Sequence, residues 1–329
     1  MNGTNPMYRY IVKRLLLALP TLVGAATLVF ILTRIIPGDV CQIRLGGGGA
    51  HVSEAALAAC RRELGLHEPW LVQFLDFLWR YATLDFGRSM WSGNPVVQEI
   101  GARLPVSLQI AVMATVIAIV IAIPLGTISA LKENTWLDHV VRVIAIAGIA
   151  TPSFWLGIMS LVLVLDITYL ATGKAWMPPI DYVPLWQDPI RNLSMVLLPA
   201  ITVGYRYSAV TMRLTRSAML EVMREDYIRT ARSKGLFEQL IVNRHALKNA
   251  LLPVVTLIGI EFAFLIGGLV VTEQVFNLNG IGRLLVLAVT NQDNTLVQAL
   301  VMLVVTIFVL TNLVVDLLYA WLDPRIRFS

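Results

Sequence analysis

The chain reads as an all-α membrane protein with about six transmembrane helices, and three observations predict this. Of its 329 residues, 57% are hydrophobic and 14% are charged, whereas soluble domains carry roughly 25% charged residues. About six apolar runs, at residues 11–36, 108–131, 140–171, 193–212, 251–271 and 297–321, reach the length of about 20 residues that crosses a bilayer as a helix. The lysines and arginines beside these runs gather on alternate connections, which is the charge asymmetry of a multi-pass protein. The net charge is +5 and the mean hydropathy +0.72. A basic chain of this kind suits loops facing anionic lipid. Its basic residues lie beside spans and form no aromatic-interleaved patch, so no nucleic acid is expected as partner.

The run at 11–36 is too long for a cleaved signal peptide, and PGD follows it in place of a small-residue cleavage site, so it is expected to remain as an anchor. Arg9, Lys13 and Arg14 precede this run, and Arg34 near its far end reads as an interface anchor. Lys132 and Arg142 flank the short connection between the second and third runs. Arg213, Arg216 and Arg224 follow the fourth, and Arg325 and Arg327 close the chain. All except Arg34 fall inside if both termini are cytoplasmic. Residues 37–103, 172–192 and 272–296 are then outside.

The outer segment 37–103 is too long for a turn. It holds GGGG at 46–49, a flexible spacer. A helix over 53–64 follows, with Ser53 as N-cap. Trp70, Leu71, Phe74, Phe77, Leu78 and Tyr81 recur at helical spacing, which predicts an amphipathic helix over 68–81, lying either on the membrane or on the bundle. Cys41 and Cys60 are the only cysteines and both fall outside, where disulfides persist. They either pair or remain two buried thiols.

Pro20, Pro124, Pro152, Pro199, Gly259, Gly267 and Gly268 interrupt the spans. Such residues are common in membrane helices, and they would also suit kinked helices around a passage. The stretch TPSFWLG, with Pro152, Phe154 and Trp155, reads equally well either way. Glu261 lies about ten residues into the fifth run, near mid-bilayer, where a carboxylate is costly by about 2.5–3.5 kcal/mol. It either faces a watery passage, with Gly267 and Gly268 about two turns on, or is paired, with Arg206 as the candidate. Asp166, Arg206 and Asp316 lie nearer span ends.

The most informative segment is 226–255, DYIRTARSKGLFEQLIVNRHALKNALLPVV. A protein that only joined two spans would use a short loop. This segment is basic and reads as helix–Gly–helix, with Gly235 where a helix stops and Pro253 opening the next span. Arg229, Arg232, Lys234, Arg244 and Lys248 place it inside. It reads as a docking element for a cytosolic partner. Equally informative are the missing motifs. There is no GxxxxGK[ST] phosphate loop, no HExxH and no Ser/His/Asp set at membrane depth, and His51, His67, His139 and His245 are scattered. No catalytic residue and no metal ligand is assigned. An internal repeat of the secondary-transporter kind is also not apparent.

The chain closely resembles the integral-membrane permease subunits of bacterial ABC importers for dipeptides and oligopeptides. The resemblance covers nearly the whole chain. It rests on YIVKRLLLALPTLVG and TRIIPGD near the start, then LGLHEPWLVQF, LDFGRSMWSGNPV and RLPVSLQIA. TPSFWLG, DYIRTARSKGL, RHALKNALLPVVT, EQVFNLNGIGRL and the final NLVVDLLYAWLDPRIR follow in order.

The resemblance implies one permease domain over 1–329. An N-terminal span occupies 1–36, an extracytoplasmic segment 37–103, a core permease 104–321 with a coupling loop at 213–250, and a cytoplasmic tail 322–329. The inner loop looks like the family's coupling motif, which inserts into a groove on the ATP-binding subunit. Here that motif is carried by Asp226, Tyr227, Arg229, Thr230, Ala231, Arg232, Lys234, Gly235 and His245. The leading acid of the general motif is absent, Asn279 stands where the family often has Pro, and Glu261 stands where a neutral polar residue is expected. The turn at Asn279 is expected to survive because Asn tolerates turn conformations.

The implied partners are a second homologous permease, two ATP-binding subunits carrying ATP and Mg, and an extracytoplasmic solute-binding protein. The chain itself would bind no cofactor and would not be an enzyme. The location would be the bacterial inner membrane. Cargo could be peptides, glutathione, nickel chelates or sugars. A stand-alone channel or intramembrane enzyme is the rival, and would need polar pore rings or paired catalytic groups instead of a docking loop.

Overall fold

The computed structural model describes residues 6–35, 41–42, 45, 52–63 and 65–322. Residues 37–39, the glycines at 46–49, and Arg325 and Arg327 lie outside that set, and of Arg9 and Lys13 only the backbone is described. The described chain is helical, in the order α1 (Pro6–Ile35), α2 (Glu54–Glu63), α3 (Trp70–Ala82), α4 (Val96–Leu131), α5 (Trp136–Ala150), α6 (Ser153–Thr172), α7 (Pro189–Val222), α8 (Asp226–Ser233), α9 (Glu238–Gly268), α10 (Val270–Val275), α11 (Ile281–Thr290) and α12 (Asn294–Leu322). The region Ile241–Ala246 within α9 is a π-helical turn. Six of these helices are long and apolar enough to cross a membrane: α1, α4, α6, α7, α9 and α12.

The third apolar run is where sequence and structure part. Residues 140–171 read as one span, but the chain breaks at Thr151 and Pro152, whose ψ angles of 125° and 135° are extended. Proline disfavours the helical region for the residue before it. The 15-residue α5 is left too short to cross, and α6 is the span. By contrast, Pro253 lies inside α9 and does not open it, since that helix starts at Glu238. A proline inside a membrane helix is tolerated where neighbours satisfy the freed carbonyl.

The centre of the bundle is the α4–α7 pair, the most extensive helix contact in the fold. Hydrophobic driving force is weak between helices in lipid, so close approach through small residues takes over. Ala111, Ala114, Ala118, Ala122 and Gly126 on α4, with Ala200, Gly204, Ser208 and Ala209 on α7, are all buried. Residues Val106, Ile110, Met195, Val203, Leu265 and Ile266 complete the core around them. The large exposed apolar side chains, such as Leu163, Leu170 and Ile190, are what lipid-facing surface requires.

Polar knots tie distant segments together. Ser107 donates to the Glu273 carboxylate at 2.6 Å, and the backbone N–H of Arg283 reaches its other oxygen at 2.7 Å. Buried Asp293 accepts from Ser89 and from the N–H groups of Trp91 and Leu296, and so pins the 88–95 turn to the start of α12. Near the other end of the chain, Asp316 pairs with Arg14 at 3.1 Å. Ser53 caps α2 as expected from its position, accepting from the Ala56 N–H. Cys41 and Cys60 form a disulfide with Cα atoms 5.8 Å apart, packed with Leu57 and Val52. The chain turns here without a left-handed backbone at Asn279. Asn277 has one, at φ 52°, and the Asn279 side chain accepts from Arg103 Nε at 3.1 Å.

Candidate functional site

The segment between α7 and α9 folds as a short helix, a glycine turn and a long helix. Asp226 in the first turn of α8 suits the positive end of the helix dipole. Only Ile228 and Ala231 of α8 are buried. They pack on Ile241, Val242, Ala246 and Ala250 of α9, on Met219 and Ala218 of α7, and on Ala130 at the end of α4. One apolar edge therefore holds α8 on the bundle, and the other faces are free. Gly235 has φ 74°. Its N–H bonds to Arg232 O at 2.9 Å and that of Leu236 to Ala231 O at 3.4 Å, the paired pattern that ends a helix on a left-handed residue.

The sequence-assigned residues come together here. Tyr227 accepts from Asn249 Nδ2 at 2.7 Å, and the same amide group lies 3.3 Å from the His245 carbonyl. Arg229 pairs with Asp226 at 3.3 Å and Arg232 with Glu238 at 2.6 Å, so the loop is less nakedly basic than its composition suggests. Thr230 and Lys234 are exposed. Sequence reasoning missed the apolar tip: Phe237 is 85% exposed, flanked by Leu236 and Leu240. A bare phenylalanine on a polar loop was visible in the sequence as the F of KGLFEQL. At the end of α7 and the start of α8, Ser217, Leu220, Glu221, Arg224, Glu225 and Asp226 line a recess of about 520 Å³.

Behind this element sits a buried ion pair that no local pattern announces. Asp138 in the first turn of α5 is fully buried and takes Arg216 of α7 in a two-point contact at 2.8 and 2.9 Å. Ser129 donates to it at 2.6 Å and the Asn134 N–H at 3.1 Å, with Arg142 at 3.9 Å. The Arg216 guanidinium holds the Asp138 carboxyl well below the usual carboxylate range, against the opposing effect of burial. Arg216, which the sequence places on the inner side, is thus also a partner inside the fold.

The pathway candidates are spread over several elements. Glu261 on α9 is half-buried and accepts from Thr211 of α7 at 2.9 Å. Among the described residues no ion pair joins it to Arg206, whose charge reaches it over a longer distance. Gly267 is set against α12, where an added Cβ would meet Val304 at 3.2 Å, while Gly268 is open. Gly267 therefore packs closely against α12, and Gly268 leaves an open position beside it. Pro152 caps α6, and Phe154 and Trp155 are half exposed on that helix, which packs on α7 and α10. Replacing Glu261 by Gln keeps the Thr211 bond and removes only charge. If Glu261 faces cargo, that variant assembles normally and transports cationic cargo several-fold more slowly. Unchanged uptake of cationic and neutral cargo rejects that placement.

Comparisons with known proteins agree on one family. Residues 122–328 match the binding-protein-dependent transport system inner membrane component, and residues 7–111 match the N-terminal component of the same systems. A Brucella abortus (strain 2308) protein, provisionally named a peptide transport system permease protein, is 40% identical over 98% of this chain and 100% of its own length. The dipeptide transport system permease protein of Alkalihalophilus pseudofirmus is 36% identical, and the glutathione transport system permease protein of Salmonella choleraesuis 39%, at the same coverages. A chain of the MetNI methionine ABC transporter, in inward-facing conformations, superposes with TM-score 0.51 at 16% identity, covering 70% of this chain and 99% of that one. That likeness concerns the fold. Family match and full-length relatives together identify this chain as a binding-protein-dependent transport system inner membrane component, a multi-pass ABC importer permease.

Proposed function

We propose that the chain forms half of the translocation pathway of an ATP-driven importer for di- or oligopeptides. Two relatives named for peptide or dipeptide transport, matched end to end, support the peptide reading. The glutathione permease at 39% identity supports a second reading within the same chemistry, since glutathione is itself a small peptide. The unit is a single permease domain over 1–329. Both termini and the loop 226–251 face the cytoplasm, and residues 37–103 face outward. A second permease completes the pathway, a binding protein delivers cargo, and two ATP-binding subunits carry ATP and Mg and do the hydrolysis.

The observation that carries the reading is the exposed α8–Gly235–Phe237 element on a packed base. Closure of the ATP-binding subunits would push on this element. The shared core of Ile228, Ala231, Met219 and Ala250 joins it to α7 and α9, so the push becomes a tilt of spans and a switch of access. Gly235→Val tests this. A β-branched residue at a left-handed position costs roughly 1–2 kcal/mol, and nothing lies within 4 Å of the added Cβ, so the damage stays local. Transport and cargo-stimulated ATPase in reconstituted complex are expected to fall together while the permease remains folded. Full stimulation with normal uptake contradicts the role.

A further inference from the structure

Helix α3 has three distinct faces. Phe74, Phe77 and Tyr81 point to the bundle: Phe30 of α1 lies 5.2 Å from the Phe74 ring and 6.1 Å from Phe77, and the Tyr81 hydroxyl bonds to Thr306 of α12. Asp76 and Arg80 form a charged edge, 2.8 Å apart, beside a cavity of about 670 Å³ that Arg34 and Gln73 also line. On the third face Leu71, Leu75 and Trp79 follow helical spacing and are 56–69% exposed, and Trp70 at the helix start is 71% exposed. The turn that ends the helix makes the same choice: Leu84 takes a left-handed backbone, which disfavours a leucine, and is two-thirds exposed.

We propose that this third face of α3 is a membrane-interface surface whose occupant is the phospholipid leaflet at the level of the headgroup–acyl boundary. Continuity with the lipid-facing surface of α1 selects lipid over protein. Leu28, Ile31, Leu32 and Ile35 of α1 are 45–69% exposed, within a span that is little buried, and α3 is fastened to that same end of α1. Arg34 fixes the depth. It sits over the Phe30 ring at 3.7 Å and donates to Gln73 of α3, and a guanidinium near a span end marks the water boundary. From Phe30 to Ile35 is five residues, about 7.5 Å at 1.5 Å per residue, which matches the 5–10 Å to which interfacial helices sink. Exposed tryptophans are the side chains that belong at this level. The outer segment is thus floated on lipid by α3, with its charged edge and cavity left toward water. That the leaflet is the outer one rests on the orientation proposed above. The docking itself does not.

The test uses the assembled transporter in nanodiscs of phosphatidylcholine brominated at acyl carbons 6,7 or 11,12. Trp79 is one of eight tryptophans, and its emission is read as the difference between the wild type and Trp79→Phe. Lipid docking predicts that this difference signal loses most of its intensity to bromine, more at 6,7 than at 11,12, and is hardly reached by aqueous iodide. A signal reached by iodide, or by neither quencher because a partner subunit covers it, overturns the proposal. A second variant, Leu75→p-benzoylphenylalanine, guards against a misfolded first one. On illumination it yields a lipid adduct by mass if the proposal holds, and a polypeptide adduct or none if it does not. Transport through the coupling loop is untouched by either result.

Discussion

Replacing Arg216 with Met is expected to destabilise the permease by about 3–5 kcal/mol, because it leaves the fully buried Asp138 charge without its partner. The two-point bond, the Ser129 hydroxyl and the Asn134 N–H all serve one carboxylate, and removing the cation leaves only the neutral donors and a more distant Arg142. The sign with pH follows from the same contacts. In the wild type the Asp138 pKa is depressed, so its contribution is fully present above the unfolded carboxylate value of about 3.9 and is lost only as pH falls through the lower folded value. In Arg216→Met burial acts with less opposition and the folded value rises. The gap in stability between wild type and variant should then be widest at neutral pH and narrow as pH falls toward the carboxylate range. Thermal inactivation of purified complex from pH 5 to 8 measures this. A flat profile with unchanged inactivation temperature would show the pair to be dispensable.

Gly204→Val is expected to have the other large effect. An added Cβ at Gly204 would lie 2.8 Å from the Ala114 carbonyl and 3.0 Å from Ile117 on α4. Backbone cannot yield as a flexible side-chain end does, so the two central helices must part, and overpacking of this kind costs about 1–3 kcal/mol or more. Gly24→Val is the control, since nothing lies within 4 Å of a Cβ there. Yield of assembled complex after detergent extraction should fall several-fold for Gly204→Val and hardly change for Gly24→Val. Equal yields would mean that α4 and α7 are not packed through this glycine.

Much of this fold was legible because lipid imposes simple rules. Apolar length located the spans, and helical spacing located α3. Ser53 and Gly235 marked a start and a stop through local hydrogen bonding. The break at Thr151–Pro152 was visible as a Pro yet misread, since its apolar flanks continue on both sides and Pro253 in a similar setting does not break its helix. What differs is tertiary packing. The long-range knots were not legible: Ser107 meets Glu273 and Ser89 meets Asp293 across more than 160 residues, and no local period records such a pairing. The pairing of Arg216 is hidden from the sequence for the same reason. Its partner Asp138 lies two helices back, so positional counting sees only the charge. Glu261 stands out in the sequence through the cost of charge at depth, and in the structure its hydrogen-bond partner is the Thr211 hydroxyl and not the Arg206 guanidinium, a choice set by how α7 packs against α9.

In the function proposed above, the loop 226–251 takes up force from an ATP-binding subunit. Placing a photo-crosslinking residue at Phe237, 85% exposed at the tip of the loop, in the complete transporter tests it most directly. The expected result is a covalent adduct with the chain that carries the ATP phosphate loop, formed in high yield from position 237 and absent from a probe at Trp79. An intact, transport-competent complex in which position 237 labels only lipid, or nothing, would contradict it.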